Sequence, residues 1–112
     1  MKAVYASTVN HDDPLAALAV GEQPEPQARP FWSTGSGRAV TGNHHDVWSL
    51  QGVGLAAEQT PMILGTDASG VLDEDIPVRK GLKAGAEVVL YTFVGTDGAG
   101  VMPGERRTIL SE

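Results

Sequence analysis

Apolar positions in this chain come in short runs, each cut by glycine, proline or a polar cluster. Residues 2–5, KAVY, form a β-prone start. Residues 15–20 are apolar, and their length fits a strand or a single helical turn. Residues 31–40 predict a strand, with an aromatic start and Ala39-Val40 at its end. Residues 47–50 fit one helical turn with Asp46 as N-cap, and residues 56–59 fit a second turn before Pro61. Residues 62–64 and 71–72 read as strand ends around a bend over residues 65–70. Residues 86–94, AEVVLYTFV, are β-branched, aromatic and nearly continuous in apolarity, which predicts a central strand. The pattern therefore predicts a mainly β (α+β) fold with one or two short helical turns.

The segments between these runs read as turns and connectors. His11-Asp12-Asp13-Pro14 is a turn, because Asp bonds back to local backbone and Pro presets φ. Residues 22–26, EQPEP, form an extended connector, since two prolines remove donors from any ladder. Residues 73–75 predict a solvated acidic turn, residues 80–85 a polar loop, and residues 95–104 a further loop. Residues 106–110 form a short last element. Gly35 and Gly37 lie two apart, on one face of the strand predicted there. Either a ligand or another backbone approaches that face, or the strand is poorly formed. A cost of about 0.5–1 kcal/mol per interior glycine favours the second reading.

Composition narrows the function classes. At 112 residues the chain is expected to be one domain, without internal repeats or a low-complexity linker. Eight basic against fourteen acidic residues give a net charge of −6. That argues against nucleic acid or an anionic membrane as partner, since both call for a basic face. Cysteine is absent, which excludes disulfides, a thiolate nucleophile and a sulfur-based zinc site. No apolar run approaches the roughly 20 residues of a bilayer span. The first residues carry one lysine and no long apolar core, so no secretory signal is expected and the default compartment is the cytoplasm.

Chemistry concentrates in residues 43–70, NHHDVWSLQGVGLAAEQTPMILGTDASG. His44-His45-Asp46 has the residue types of a 2-His-1-carboxylate iron site. Adjacent residues splay apart on a helix and alternate faces on a strand, so convergence on one metal is disfavoured. Asp46 and Asp67 read as caps or Asx-turns. Trp48 reads as core or cleft wall rather than a reactive group. Gly95-Thr96-Asp97-Gly98-Ala99-Gly100 has the order G-x-x-G-x-G and a following Pro103, unlike a dinucleotide fingerprint that opens a helix. Gly35-Ser36-Gly37 falls short of a G-x-S-x-G nucleophile elbow.

MKAV, the VGEQPEP connector, Asn43-x-x-Asp46 with Gly52, Pro61-x-x-Leu64-Gly65-x-Asp67-x-x-Gly70-Val71, and a glycine-preceded VVLY strand occur in that order. Together they resemble the N-terminal, GroES-like catalytic domain of the medium-chain dehydrogenase/reductase superfamily, over nearly the whole chain. The branch it looks most like is the zinc-independent, quinone-oxidoreductase-like one, with Asn-x-x-Asp where zinc members carry Cys-x-x-Asp. Zinc members also place His-Glu where this chain has Thr66-Asp67, so the resemblance implies a scaffold without zinc. The implied fold is a partly open GroES-like β-barrel spanning residues 1–112, incomplete at its C-terminal end and truncated before the Rossmann domain.

By position, the resemblance puts Asn43 beside the nicotinamide, His44 near the cofactor pyrophosphate, and His45 near the substrate as a proton relay. Asn43 and His45 are thus the implied catalytic residues, Asn43 and His44 the cofactor-binding ones, and Trp48 and Thr66 the cleft wall, with no metal ligand. The implied activity is that of an NAD(P)H-dependent oxidoreductase for a small carbonyl, enone or quinone substrate. NADP or NAD would be used only with a Rossmann domain supplied by another chain, so the chain is expected to be inactive alone. An unpaired barrel edge leaves homo-oligomers open. The alternative is a degenerate, non-catalytic remnant or small binding module on the same barrel.

Overall fold

The computed structural model describes residues 1–27, 32–76, 82–89 and 108–110. In chain order the strands are β1 (Lys2–Ala6), β2 (Leu18–Glu22), β3 (Trp32–Thr41), β4 (Met62–Ile63), β5 (Asp67–Leu72), β6 (Glu87–Val89) and β7 (Thr108–Leu110). The helix α1 (His44–Leu50) falls between β3 and β4, and single 3-10 turns occupy Pro14–Ala17 and Ala57–Gln59. Two compact units result, one from Met1–Glu25 with Gly42–Gly65, the other from Pro26–Thr41 with Thr66–Glu112. The expected class holds: the protein is mostly strand, with open antiparallel sheets and one helix.

In the first unit, β1 is central to a sheet of order β2-β1-β4. It pairs with β2 from Lys2↔Glu22 to Ala6↔Leu18, and with β4 at Tyr5↔Ile63 and Ala6↔Met62. The apolar run 15–20 divides between two elements. Pro14 starts the 3-10 turn, where its fixed φ and missing N–H do no harm. Ala17 of that turn is fully buried, and its carbonyl accepts bonds from the Ser7 N–H at 2.9 Å and Ser7 Oγ at 3.0 Å. From Leu18 the chain is extended and becomes β2. Ala6, Ala17, Leu50, Leu55 and Met62 form the core, with Val9 and Leu64 packed against it. Burying a leucine such as Leu50 or Leu55 contributes about 1.5–3 kcal/mol.

In the second unit the sheet order is β6-β5-β3-β7. β3 is a formed strand of ten residues, so the poorly formed alternative is overturned. The close approach of another backbone falls at Gly70 on the partner strand, whereas a Cβ on Gly37 would meet nothing within 4 Å. Gly37 lies opposite Gly70, and a Cβ on Gly70 would run into the Ser36 carbonyl and come within 3.0 Å of Gly37 Cα. The β3–β5 register shifts between Gly37 and Ala39, leaving Arg38 as the extra residue of a bulge.

The expected bend over residues 65–70 is shorter than predicted. Gly65 takes the positive φ of 97°, and Asp67 already begins β5. Of the expected central strand at 86–94, the described part is Glu87–Val89, which pairs with β5, and Val89 is 80% exposed. Residues 90–94, the loop at 95–104 and residues 106 and 107 lie outside the described residues.

The acidic segment 73–75 is exposed yet tied in place. Asp73 accepts from Ser36 Oγ at 2.7 Å, and its N–H donates to the Thr34 carbonyl at 3.0 Å. Asp75 accepts from Lys83 Nζ and from the Ala84 N–H, both at 2.9 Å. The fully buried Ser33 shares its hydroxyl proton between the carbonyls of Thr34 and Glu74, at 3.0 and 3.1 Å. Leu72 and Ile76 are the buried apolar side chains of this unit among the described residues.

Candidate functional site

The helix α1 starts three residues earlier than the apolar pattern predicts, at His44, and Asn43 is its N-cap in extended conformation. Asp46 is therefore at the third helical position and is not the N-cap. Its Oδ2 accepts the Asn43 N–H at 2.8 Å, the reach-back half of a capping box. Its Oδ1 accepts the Gly65 N–H at 2.9 Å. Both carboxylate oxygens are thus committed to backbone, and a negative charge in the first helical turn also complements the helix dipole. Asp46 has the capping chemistry expected of it, in a different position.

The far end of α1 anchors it. Ser49 and Leu50 are buried, Ser49 Oγ donates to the His45 carbonyl at 3.0 Å, and the Leu50 carbonyl accepts the Asn10 N–H at 2.8 Å. The near end is left at the surface, where Asn43, His44 and His45 are all exposed. His44 and Trp48, four residues apart on the helix, meet edge to face with ring centroids 5.0 Å apart and planes at 82°. Such a pair is worth about 0.5–1.5 kcal/mol beyond area burial. Trp48 is 48% exposed, so it belongs to a surface and not to the core.

The structure therefore brings Asn43, His44, His45 and Trp48 together on one short helix of the first unit. Thr66 belongs to the second unit, half-buried just before β5. Asp67 is a cross-strand partner: its Oδ2 accepts from Thr41 Oγ1 at 3.1 Å, and the two residues are paired in the β3–β5 register. Among the described residues, no three His, Asp or Glu side chains gather as a metal site. No helix among them is long and apolar enough to cross a membrane. The G-x-x-G-x-G segment at 95–100 lies outside the described residues. Sequence reasoning missed Gly65 as the partner of Asp46. The signal for half of this was present, since Asn43-x-x-Asp46 has capping-box spacing.

No family model and no curated protein matches the chain. Solved structures do. An NAD-dependent alcohol dehydrogenase superposes with a TM-score of 0.75 at 28% identity, over 96% of this chain and 34% of that one. A probable oxidoreductase from Mycobacterium abscessus gives a TM-score of 0.66 at 22% identity, over 98% of this chain and 34% of that one. The second likeness concerns fold alone. The fold is thus that of an oxidoreductase-like chain, similar to part of an alcohol dehydrogenase. The first likeness supports the medium-chain dehydrogenase/reductase resemblance, and the chain spans about a third of the length of these two structures.

Proposed function

We propose that this chain is the substrate-side catalytic part of a zinc-independent, NAD(P)H-dependent oxidoreductase that reduces small carbonyls, enones or quinones in the cytoplasm. The observation that carries the reading is the likeness to an NAD-dependent alcohol dehydrogenase over 96% of the chain. The donor set does not fit zinc. Asn43 offers an amide, Thr66 a hydroxyl, and Asp46 gives both oxygens to backbone N–H groups, whereas zinc favours thiolate and imidazole.

A nicotinamide cofactor, when bound, supplies the hydride. The side chains at the start of α1 suit such a ligand. Asn43 would hold the carboxamide end and His44 the pyrophosphate. His45 would pass a proton to the substrate oxygen, a task suited to histidine as a residue type. Trp48 and Thr66 are assigned to the substrate. These 112 residues taken alone are expected to be inactive, since they match a third of the similar dehydrogenase.

The test is a chimera. This chain replaces the matching third of the similar alcohol dehydrogenase, and NADH or NADPH oxidation is followed with quinone and enone substrates, with and without a chelator. The expected result is turnover by the chimera that chelator does not reduce, and none by the 112-residue chain. A chimera that folds and binds cofactor yet stays silent would overturn the oxidoreductase reading. Turnover by the isolated chain would overturn its expected inactivity.

A further inference from the structure

We infer that Asp46 is a positioning residue, whose carboxylate sets how Asn43 and His44 are presented by tying the start of α1 to the turn after β4. The inference rests on the functional reading above for what Asn43 and His44 do, but the tie itself is independent of it. Three observations carry it. Each Asp46 oxygen takes a different backbone N–H, Asn43 at 2.8 Å and Gly65 at 2.9 Å. The two donors are far apart in sequence, so the carboxylate joins two segments of the first unit rather than closing a local cap. Gly65 holds φ at 97°, a conformation that side-chain-bearing residues rarely adopt, so the chain turns sharply at the residue whose N–H Asp46 holds.

The chemistry makes aspartate specific here. Ionised Asp presents only acceptors, so both oxygens can serve N–H donors at once. Asn has one acceptor oxygen and an NH₂ group that can only donate, so Asp46→Asn keeps one of the two bonds. Ala keeps neither. Hydrogen bonds to a charged acceptor are also the stronger kind. The residue that moves when the tie is cut is Asn43, and with it the first helical turn that holds His44 against Trp48.

The experiment uses the 112-residue chain as wild type, D46N and D46A. Amide hydrogen exchange is read at Asn43, Gly65 and Leu64. The Leu64 N–H, which bonds the Val4 carbonyl at 3.0 Å, is the internal reference for the sheet. His44 ring-proton shifts report its seat on Trp48. In D46A, exchange at Gly65 should rise at least about tenfold relative to Leu64, as expected for loss of a charge-assisted bond. The His44 ring-current shift should collapse toward the free value. In D46N, only one of the two amides should accelerate. Unchanged Gly65 exchange in folded D46A, or an unchanged His44 shift, overturns the inference. NADPH titrated into the folded chimera, with and without D46A, then separates the two claims. Shifts at Asn43 and His44 that weaken with D46A support both; no response at these residues in a chimera that binds NADPH removes the cofactor role and leaves the positioning tie standing.

Discussion

Substituting Gly70 by alanine should be among the most damaging single-methyl additions in this protein. A Cβ built there falls well inside contact with the Ser36 carbonyl oxygen, and within 3.0 Å of both Ser36 C and Gly37 Cα. All three obstacles are backbone, so no rotamer change relieves them. β3 must move off β5 beside the bulge at Arg38. Overpacking of this kind costs about 1–3 kcal/mol, and each ladder bond strained by the movement adds about 0.5–1.5 kcal/mol. A loss of about 3 kcal/mol follows, a large share of the roughly 5–15 kcal/mol typical of a domain. The control is the residue opposite. A methyl added at Gly37 would meet nothing within 4 Å, and this glycine has no positive φ. Gly37→Ala should therefore be neutral or gain about 0.5 kcal/mol from reduced chain entropy. Equilibrium urea titration by circular dichroism compares the pair with wild type through linear extrapolation. If G70A lies within about 0.5 kcal/mol of wild type, or G37A falls as far as G70A, the close-approach explanation of this glycine pair is wrong.

Two further outcomes follow from burial and from charge. Leu72 is 1% exposed, so Leu72→Ala should cost about 2–5 kcal/mol, while Leu15→Ala at a residue 72% exposed should shift the same titration by less than about 0.5 kcal/mol. The Lys83 ammonium, and next the Ala84 N–H, hold the Asp75 carboxyl below its ordinary value of 3.8. A lowered folded-state value means that the stabilisation is complete above the unfolded value and is lost as pH falls through the folded one. The gap in urea midpoint between wild type and D75N should therefore be constant near neutrality and close as the solution is taken to strong acid; a gap independent of pH would exclude that linkage.

The elements legible in the sequence are those whose cause is local. Pro14 announces the 3-10 turn it starts, and the prolines of residues 22–26 end β2 at Glu22. The turn at Ala57–Gln59 precedes Pro61 as expected. What escapes is set by pairing. Gly70 lies against Ser36 and Gly37 only because of the β3–β5 register, so no window around Gly70 reveals why a Cβ is excluded there. The run 86–94 looks central because strand propensity and burial usually coincide in such runs. In its described part they separate, and Val89 stands 80% exposed on a strand with one partner among the described residues.

The same division runs through the candidate site and bears on which side chain would do the chemistry. The apolar pattern opens the helix at Val47, which makes Asp46 its cap and leaves the two histidines outside it. Starting α1 at His44 changes the roles. Asp46 becomes a backbone clamp with both oxygens engaged, so it is poorly suited to act as an acid or base. His44, set four residues before Trp48, is held edge to face against it, which suits a residue that must offer a fixed N–H to a ligand. His45 is exposed, and its own carbonyl is bonded by Ser49 at the buried end of the helix. The backbone at His45 is thereby secured while its ring remains at the surface. The division of labour proposed from the resemblance, proton transfer by His45 and a binding contact by His44, is compatible with how this helix begins.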